Sequence, residues 1–226
     1  MLERIDSLIK SKEVFKEYIK KYYDRKIDFP HSSCYFHKKV LNMIRESEYD
    51  RLFNDDLFLE FIYATLSAWG LDRMDGGARL VEFNDFKKSV LDNLNLLKEL
   101  SLIKLNELSD EKKEEVKKRL AILFEKLKVM ETKSKLVGVS KALHHLLPDL
   151  VPPIDRKYTL NFFYERKFNP QIKGNEKEIF LEIFDYYHLI CKKLCEKDLE
   201  REWDTSIPKL IDNAIIGFVS EEQKKT

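Results

Sequence analysis

Apolar residues recur every three or four positions along most of this chain, and that spacing limits what the chain can fold into. Leu, Ile and Phe occupy most of these positions, whereas the sequence shows no clear strand alternation and no Asn-Gly hairpin signal. The pattern predicts an all-α fold, a compact multi-helix globular body. A chain of 226 residues can bury about 70–75% of its unfolded surface, so a substantial core is expected.

The same spacing predicts the positions of the helices. They cover residues 3–26, 36–47, 55–69, 84–105, 110–132, 140–147, 156–164, 175–196 and 207–219. The clearest is 175–196, which carries one apolar stripe formed by Phe180, Ile183, Phe184, Tyr187, Ile190, Cys191 and Leu194. A stripe of this kind indicates a helix with one face against the core.

Three of the six prolines fall within six positions, at Pro148, Pro152 and Pro153. Proline fixes its own φ and restricts the residue before it to extended conformations. We therefore expect an extended segment here that crosses from one helix to the next. The chain is predicted to be a single all-helical domain over 1–226, with a sub-division near 133–155 as the alternative. In that alternative, two helical lobes are joined near 148–155.

The charge balance excludes some functions. Lys and Arg total 41 and Asp and Glu total 40, so the net charge is only +1 and a uniformly basic nucleic-acid coat is excluded.

No stretch approaches the ~18 consecutive apolar residues that a membrane span needs. Met1 begins an amphipathic segment and not a signal peptide. We expect a cytoplasmic protein with no membrane partner.

Cysteine and histidine could in principle form a metal site. The candidates are His31, Cys34, His37, His188, Cys191 and Cys195, which could together furnish tetrahedral ligands. Two of these cysteines coincide with the apolar stripe of their helix, so core packing is favoured and no metal is predicted. Adjacent His144 and His145 point to different faces of a regular helix, and we expect one to pack and one to be solvated.

Standard cofactor and hydrolase motifs are missing from the sequence. It contains no Walker A loop, no dinucleotide Gly-x-Gly-x-x-Gly, no Gly-x-Ser-x-Gly elbow and no His-Glu-x-x-His. We therefore predict no cofactor.

The run from Gly138 to Tyr158 is the best candidate for a site. Gly138 and Ser140 mark a predicted helix start, where unpaired N–H groups, the helix dipole and Lys141 would together attract an anion. Asp155 lies at the predicted N-cap of the next helix. Fourteen residues separate Lys141 from Asp155, which allows both to face one pocket across a short helix and an extended return. The alternative is architectural, with Asp155 as an ordinary helix cap.

Positive charge is concentrated around this run. Across 133–167 the positive residues outnumber the negative by four, with Lys133, Lys135, Lys141, Arg156, Lys157, Arg166 and Lys167 against Asp149, Asp155 and Glu165. Tyr158, Phe163 and Tyr164 are interleaved with them. Such a patch could meet a phosphate backbone.

Two resemblances extend this interpretation. Leu136 to Phe163, with Ala68 to Asp72 and Leu80 to Phe86, resembles a family of small prokaryotic helical proteins of unassigned activity. Residues 136–141 with 153–155 are also similar to the helix-hairpin-helix DNA glycosylase superfamily. That superfamily holds a DNA phosphate on hairpin amides, and in its bifunctional members a Lys attacks the sugar C1′ while an Asp supports charge there.

The second resemblance implies a role for each matching residue. Gly138, Val139 and Ser140 would hold the phosphate, Lys141 would be the nucleophile and Asp155 the carboxylate. The chain departs from the superfamily pattern in having Ser140 for the second hairpin glycine and Lys141 one position early.

The leading hypothesis is a helical protein that binds a phosphate-bearing ligand, with nucleic acid as the favoured partner. Contacts are predicted through the start of the Ser140 helix and through Arg156, Lys157 and Tyr158. The alternative is a non-enzymatic helical scaffold or interaction protein.

Overall fold

Every regular element that the structure describes is helical, which confirms the predicted all-α class. The structure is a computed structural model, and it describes residues 1–24, 31–72, 78–132, 134–165, 175–194 and 205–224. In that part of the chain, none of the helices has the length and apolar character needed to cross a bilayer.

Twelve α-helices follow one another along the part of the chain that the structure describes. They are α1 (Leu2–Leu8), α2 (Lys12–Tyr23), α3 (His31–Glu46), α4 (Tyr49–Leu52), α5 (Asp56–Leu66), α6 (Phe83–Leu91), α7 (Leu94–Ser101), α8 (Asp110–Lys126), α9 (Leu136–Leu146), α10 (Thr159–Tyr164), α11 (Glu176–Leu194) and α12 (Ile207–Lys224). A π-helical turn, Ser67–Leu71, follows α5, and a 3-10 turn, Leu105–Glu107, precedes α8.

Several helix boundaries differ from those predicted. The first predicted helix is two helices, because the hydroxyl of Ser11 accepts the N–H of Val14 and caps the start of α2. The fourth also divides, at Asn93, whose side-chain amide donates to the helix backbone. The predicted helix over 110–132 ends early, at Lys126. Helix α4 is too short to show the repeated apolar spacing that predicts the other helices.

Helix α12 is buried over most of its length. Its residues from Ile207 to Ser220 include only one, Lys209, that is not fully buried. Helix α2 packs along it, and the two come closest at Gly217, where a Cβ atom would lie 2.0 Å from the carbonyl oxygen of Tyr18. Only glycine permits this approach. Helix α10 also contacts α12, and the rings of Phe162 and Phe218 lie 5.3 Å apart.

The proline-rich segment returns along α9, as its prolines predict. After α9 ends, residues 151–155 adopt no regular structure and form a return segment beside the helix. Two hydrogen bonds hold this return segment to α9. His144 Nδ1 donates to the carbonyl of Val151 (2.8 Å), and the N–H of Ile154 donates to Ser140 Oγ (3.2 Å). The second bond places residue 155 beside residue 141. This alignment of the return segment with α9 brings together residues of the candidate site.

Candidate functional site

A partly enclosed pocket of about 90 Å³ lies where α9, α12 and the return segment meet. Its lining combines two amines, two carboxylates, a histidine and several aromatic or apolar side chains. These residues are Tyr22, His37, Trp69, Lys141, Pro153, Ile154, Asp155, Tyr158, Lys209, Asp212 and Ile216. The lining comes from widely separated parts of the chain, so the pocket exists only in the folded protein.

Lys141 and Asp155 both line this pocket, as the site hypothesis requires. Lys141 Nζ lies 3.9 Å from Asp155 Oδ2, and the lysine side chain is only 13% exposed. The amine also lies over the ring of Trp69, 5.0 Å from its centroid. Burial lowers the pKa of Lys141, and the positive charge of Lys209 acts in the same direction, while Asp155 and Asp212 oppose the shift. The result is an amine that loses its proton more readily than a solvated lysine.

Asp155 has a second role in the backbone. Its Oδ1 atom accepts the N–H groups of Lys157 (2.7 Å) and Tyr158 (3.0 Å), so it caps the turn that leads into α10. Helix α10 begins only at Thr159, with Tyr158 at its N-cap, so Asp155 caps the preceding turn and not the helix, which corrects the predicted N-cap. The other oxygen of Asp155 faces Lys141. Arg156 donates to Ser134 Oγ (2.7 Å) and not to Asp155.

Trp69 reaches the pocket because of the turn that follows α5. Gly70 has a φ of 73°, a left-handed conformation that glycine adopts without strain, and it ends the helical path directly after the tryptophan. The indole packs against His145, with ring centroids 4.8 Å apart, and forms one wall of the pocket.

A second amine–carboxylate pair lies in the same lining. Lys209 Nζ and Asp212 Oδ2 are 2.5 Å apart on successive turns of α12, and both side chains are largely buried. Burial alone would lower the pKa of Lys209, but the adjacent Asp212 carboxylate outweighs it and raises the pKa above the ordinary value. Lys209 is therefore held in its charged form. The sequence signal for this pair is that Lys209 and Asp212 are the only charged residues between Ile207 and Ser220.

Three histidines are packed next to the pocket. His145 Nδ1 donates to the carbonyl of Lys141 (2.7 Å), and His37 Nδ1 lies 3.1 Å from His145 Nε2. His144 and His145 are both buried, which corrects the expectation that one of them is solvated. The return segment covers His144, whose Nδ1 bonds the Val151 carbonyl, whereas Trp69 and His37 pack against His145. Burial lowers the pKa of His145 to about 4 and that of His37 well below its usual range.

The predicted anion site at the start of the helix is corrected by the structure. Helix α9 begins at Leu136, two residues before the predicted glycine, and Glu176 of α11 already accepts the N–H groups of Lys135 (2.7 Å) and Leu136 (3.0 Å). The start of the helix therefore lies before the predicted residues, and its first N–H groups are bonded by a carboxylate of the protein.

The three residues predicted to hold that phosphate are buried. Gly138 packs against Met130, Val139 belongs to the core, and the hydroxyl of Ser140 holds the return segment. We therefore assign Gly138, Val139 and Ser140 to the support of the pocket and not to an exposed phosphate contact.

Arg156 and Lys157 are exposed on the turn between two pocket residues, Asp155 and Tyr158. Neither forms an ion pair with a residue that the structure describes. Lys135, by contrast, is paired with Glu125. The other predicted members of the basic patch, Lys133, Arg166 and Lys167, lie outside the described residues.

The histidines and cysteines considered as metal ligands are separated or lie outside the described part. His188 Nε2 donates to the carbonyl of Leu108 (2.8 Å), and Cys191 is buried in the core. The side chains of His31, Cys34 and Cys195 lie outside the described residues. Among the residues that are described, no three His, Cys, Asp or Glu side chains group to hold an ion.

Comparisons of the chain with protein-family models, with curated proteins and with solved structures give no match.

Proposed function

We propose that the pocket receives an unstacked nucleotide and that Lys141 attacks its sugar at C1′, as in a DNA-glycosylase-like site. The observation that carries this proposal is the placement of a buried amine 3.9 Å from a carboxylate inside a pocket with aromatic walls. The two resemblances of the sequence remain predictions.

Lys141 meets the main requirement of an amine nucleophile. Only the unprotonated amine is nucleophilic, and burial lowers the pKa of this lysine. In the proposed step the lysine nitrogen bonds to C1′, the bond between C1′ and the base breaks, and the base leaves with the electron pair and takes a proton from solvent. The nitrogen loses a proton, the C1′–O4′ bond breaks with its electron pair passing to O4′, which takes up a proton, and the lysine nitrogen and C1′ are left as a Schiff base.

Asp155 is placed to assist the same step. Its Oδ2 atom faces the amine, while Oδ1 is fixed by two backbone N–H groups, so the carboxylate is already oriented. A negative charge in this position stabilises positive charge that develops at C1′. It can also accept the proton that leaves the lysine.

The walls of the pocket suit a flat ring with polar edges. Trp69, Tyr22 and Tyr158 offer aromatic surface, and Lys209 and Asp212 offer a donor and an acceptor. A base taken out of the helix is bound by stacking and by hydrogen bonds to its edge. Stacking of one base on an aromatic side chain contributes about 1–3 kcal/mol.

The backbone of the nucleic acid would lie along the adjacent turn. Arg156 and Lys157 are exposed there, beside the residues that line the pocket. With a net charge of only +1, the chain would bind phosphates through such a local pair and not through a general basic surface.

Borohydride trapping tests the proposal. Duplexes containing a panel of damaged bases or an abasic site are incubated with the protein and reduced, and the covalent adduct is measured on a denaturing gel. We expect an adduct with the unaltered protein and with Lys118→Ala, a control at an exposed lysine of α8. Lys141→Ala should form none, and Asp155→Asn should form it at least about tenfold more slowly.

A different outcome would favour the scaffold. If no duplex in the panel is trapped, and Asp155→Asn lowers the melting temperature while no nucleic acid raises it, then Asp155 acts only as the cap of the turn before α10. The nucleophile would then be rejected.

A further inference from the structure

His37 lines the pocket but has no role in the step above. Its ring lies beside Trp69 and perpendicular to His145, with centroids 5.8 Å and 5.2 Å away. One ring nitrogen, Nδ1, is directed at His145 Nε2 (3.1 Å). The hydrogen bonds of these two histidines fix which nitrogen of His37 carries its proton.

The backbone carbonyl of Lys141 determines which ring nitrogen of His145, and then of His37, carries a proton. A carbonyl oxygen can only accept, so the contact of His145 Nδ1 with the Lys141 carbonyl places a proton on Nδ1. In a neutral imidazole the other nitrogen, Nε2, is then an acceptor. His37 Nδ1 must donate to it, which leaves His37 Nε2 without a proton.

Both rings are held neutral by their surroundings. His145 is fully buried and His37 is half-buried beside it, and His144 and the charged Lys209 add to the cost of a positive charge on His37. His37 therefore presents a hydrogen-bond acceptor, and not a positive charge or a donor, within the part of the pocket that it lines. None of the described side chains is bonded to its Nε2 atom.

We propose that His37 selects the ligand by accepting a hydrogen bond at Nε2 from an N–H group of the bound base, with His145 and the Lys141 carbonyl fixing its tautomer. This inference rests on the proposed function, since it assigns a contact to the base in the same pocket. It predicts a preference for bases that present an N–H donor at that edge over bases that present an acceptor there.

One measurement tests the tautomer without any ligand. Long-range proton–nitrogen NMR spectra of the free protein, with His37→Gln used to assign the signals, should show His37 neutral and protonated at Nδ1. A His37 ring that is protonated at Nε2 would present a donor and would overturn the inference.

A second measurement separates the base contact from the nucleophile. Abasic-site DNA has the C1′ aldehyde but no base, so His37→Ala should be trapped on it as rapidly as the unaltered protein. On DNA with an intact damaged base, trapping by His37→Ala should be slower by about tenfold or more. His37→Gln, which keeps an oxygen acceptor of similar reach, should recover part of the rate.

The outcomes distinguish the two proposals. If the unaltered protein is trapped on neither DNA, the proposed function itself fails. If it is trapped on abasic DNA alone, or if His37→Ala is trapped on both substrates as rapidly as the unaltered protein, the role of His37 is rejected while the nucleophile stands.

Discussion

Lys141 and Lys209 show how the same side chain acquires different chemistry within one pocket. The amine of Lys209 lies 2.5 Å from the Asp212 carboxylate, and this pairing raises its pKa. Lys141 is 3.9 Å from Asp155, a distance at which the carboxylate offsets burial only in part, and its pKa is lowered. The longer separation, 3.9 Å against 2.5 Å, therefore accompanies a lowered pKa in Lys141 and a raised pKa in Lys209.

The exposed pair Arg156 and Lys157 leads to a prediction on salt dependence. If each neutralises one phosphate, the double variant Arg156→Ala/Lys157→Ala should bind duplex DNA more weakly. A plot of the logarithm of its association constant against the logarithm of salt concentration should have a slope smaller in magnitude by about two. Fluorescence anisotropy at several salt concentrations measures this. Lys118→Ala should leave the slope unchanged. An unaltered slope in the double variant would remove these residues from the interface.

At the scale of elements, α9 and the return segment act as one unit. The hydroxyl of Ser140 accepts the N–H of Ile154 and so fixes how the return segment is aligned with α9. The prolines keep the segment extended, and Asp155 starts the next turn. A shift of one residue in this alignment would move Asp155 away from Lys141.

The packing of α2 against α12 leads to a prediction on stability. In Gly217→Ala the new Cβ would overlap the backbone oxygen of Tyr18, which cannot move without separating the helices, so the free energy of unfolding should fall by about 2–3 kcal/mol. Urea denaturation measures the change. Gly138→Ala is the matched control, because its Cβ would meet the flexible side chain of Met130. Equal losses in the two variants would contradict this account of the α2–α12 contact.

Some of this arrangement was predictable from the sequence. The proline spacing predicts the extended return, and the interval between Lys141 and Asp155 allows them to meet. The cap by Glu176 was not predictable, because α11 is distant in sequence and its position depends on tertiary packing. The same holds for His37, which the sequence marks only by its spacing from His31 and Cys34.

At the scale of the whole molecule, the pocket joins parts of the chain that a local pattern cannot relate. Tyr22, His37 and Trp69 come from the first third of the sequence, while Lys209 and Asp212 come from the last helix. The all-α class follows from apolar periodicity alone. Which helices meet is decided by the shapes of their buried faces, as at Gly217.

The buried histidines lead to a prediction on pH. The pKa of His145 falls from 6.5 to about 4 on folding, and those of His37 and His144 fall as well. Below pH 6.5 the unfolded chain takes up protons that the folded chain does not, so stability is lost as pH falls from 6.5 toward 4. His145 alone would lower the free energy of unfolding by about 3 kcal/mol between pH 6.5 and pH 4.

Urea denaturation at about pH 7 and about pH 5 measures this loss. The carboxylates whose pKa is lowered, such as Glu125, lose their contribution only below their ordinary value of 4.5, so they are not confused with the histidines. A free energy of unfolding that is equal or larger at the lower pH would contradict the neutral, buried state of these rings.

The most direct test of the account is the identity of the lysine that forms the adduct. The protein is trapped on abasic-site DNA with borohydride and digested, and the modified peptide is sequenced by mass spectrometry. Because Lys141 is the amine with the lowered pKa and Lys209 is held in an ion pair, we expect the modification on Lys141. Modification of Lys209 or of an exposed lysine, with Lys141 unmodified, would contradict the central claim.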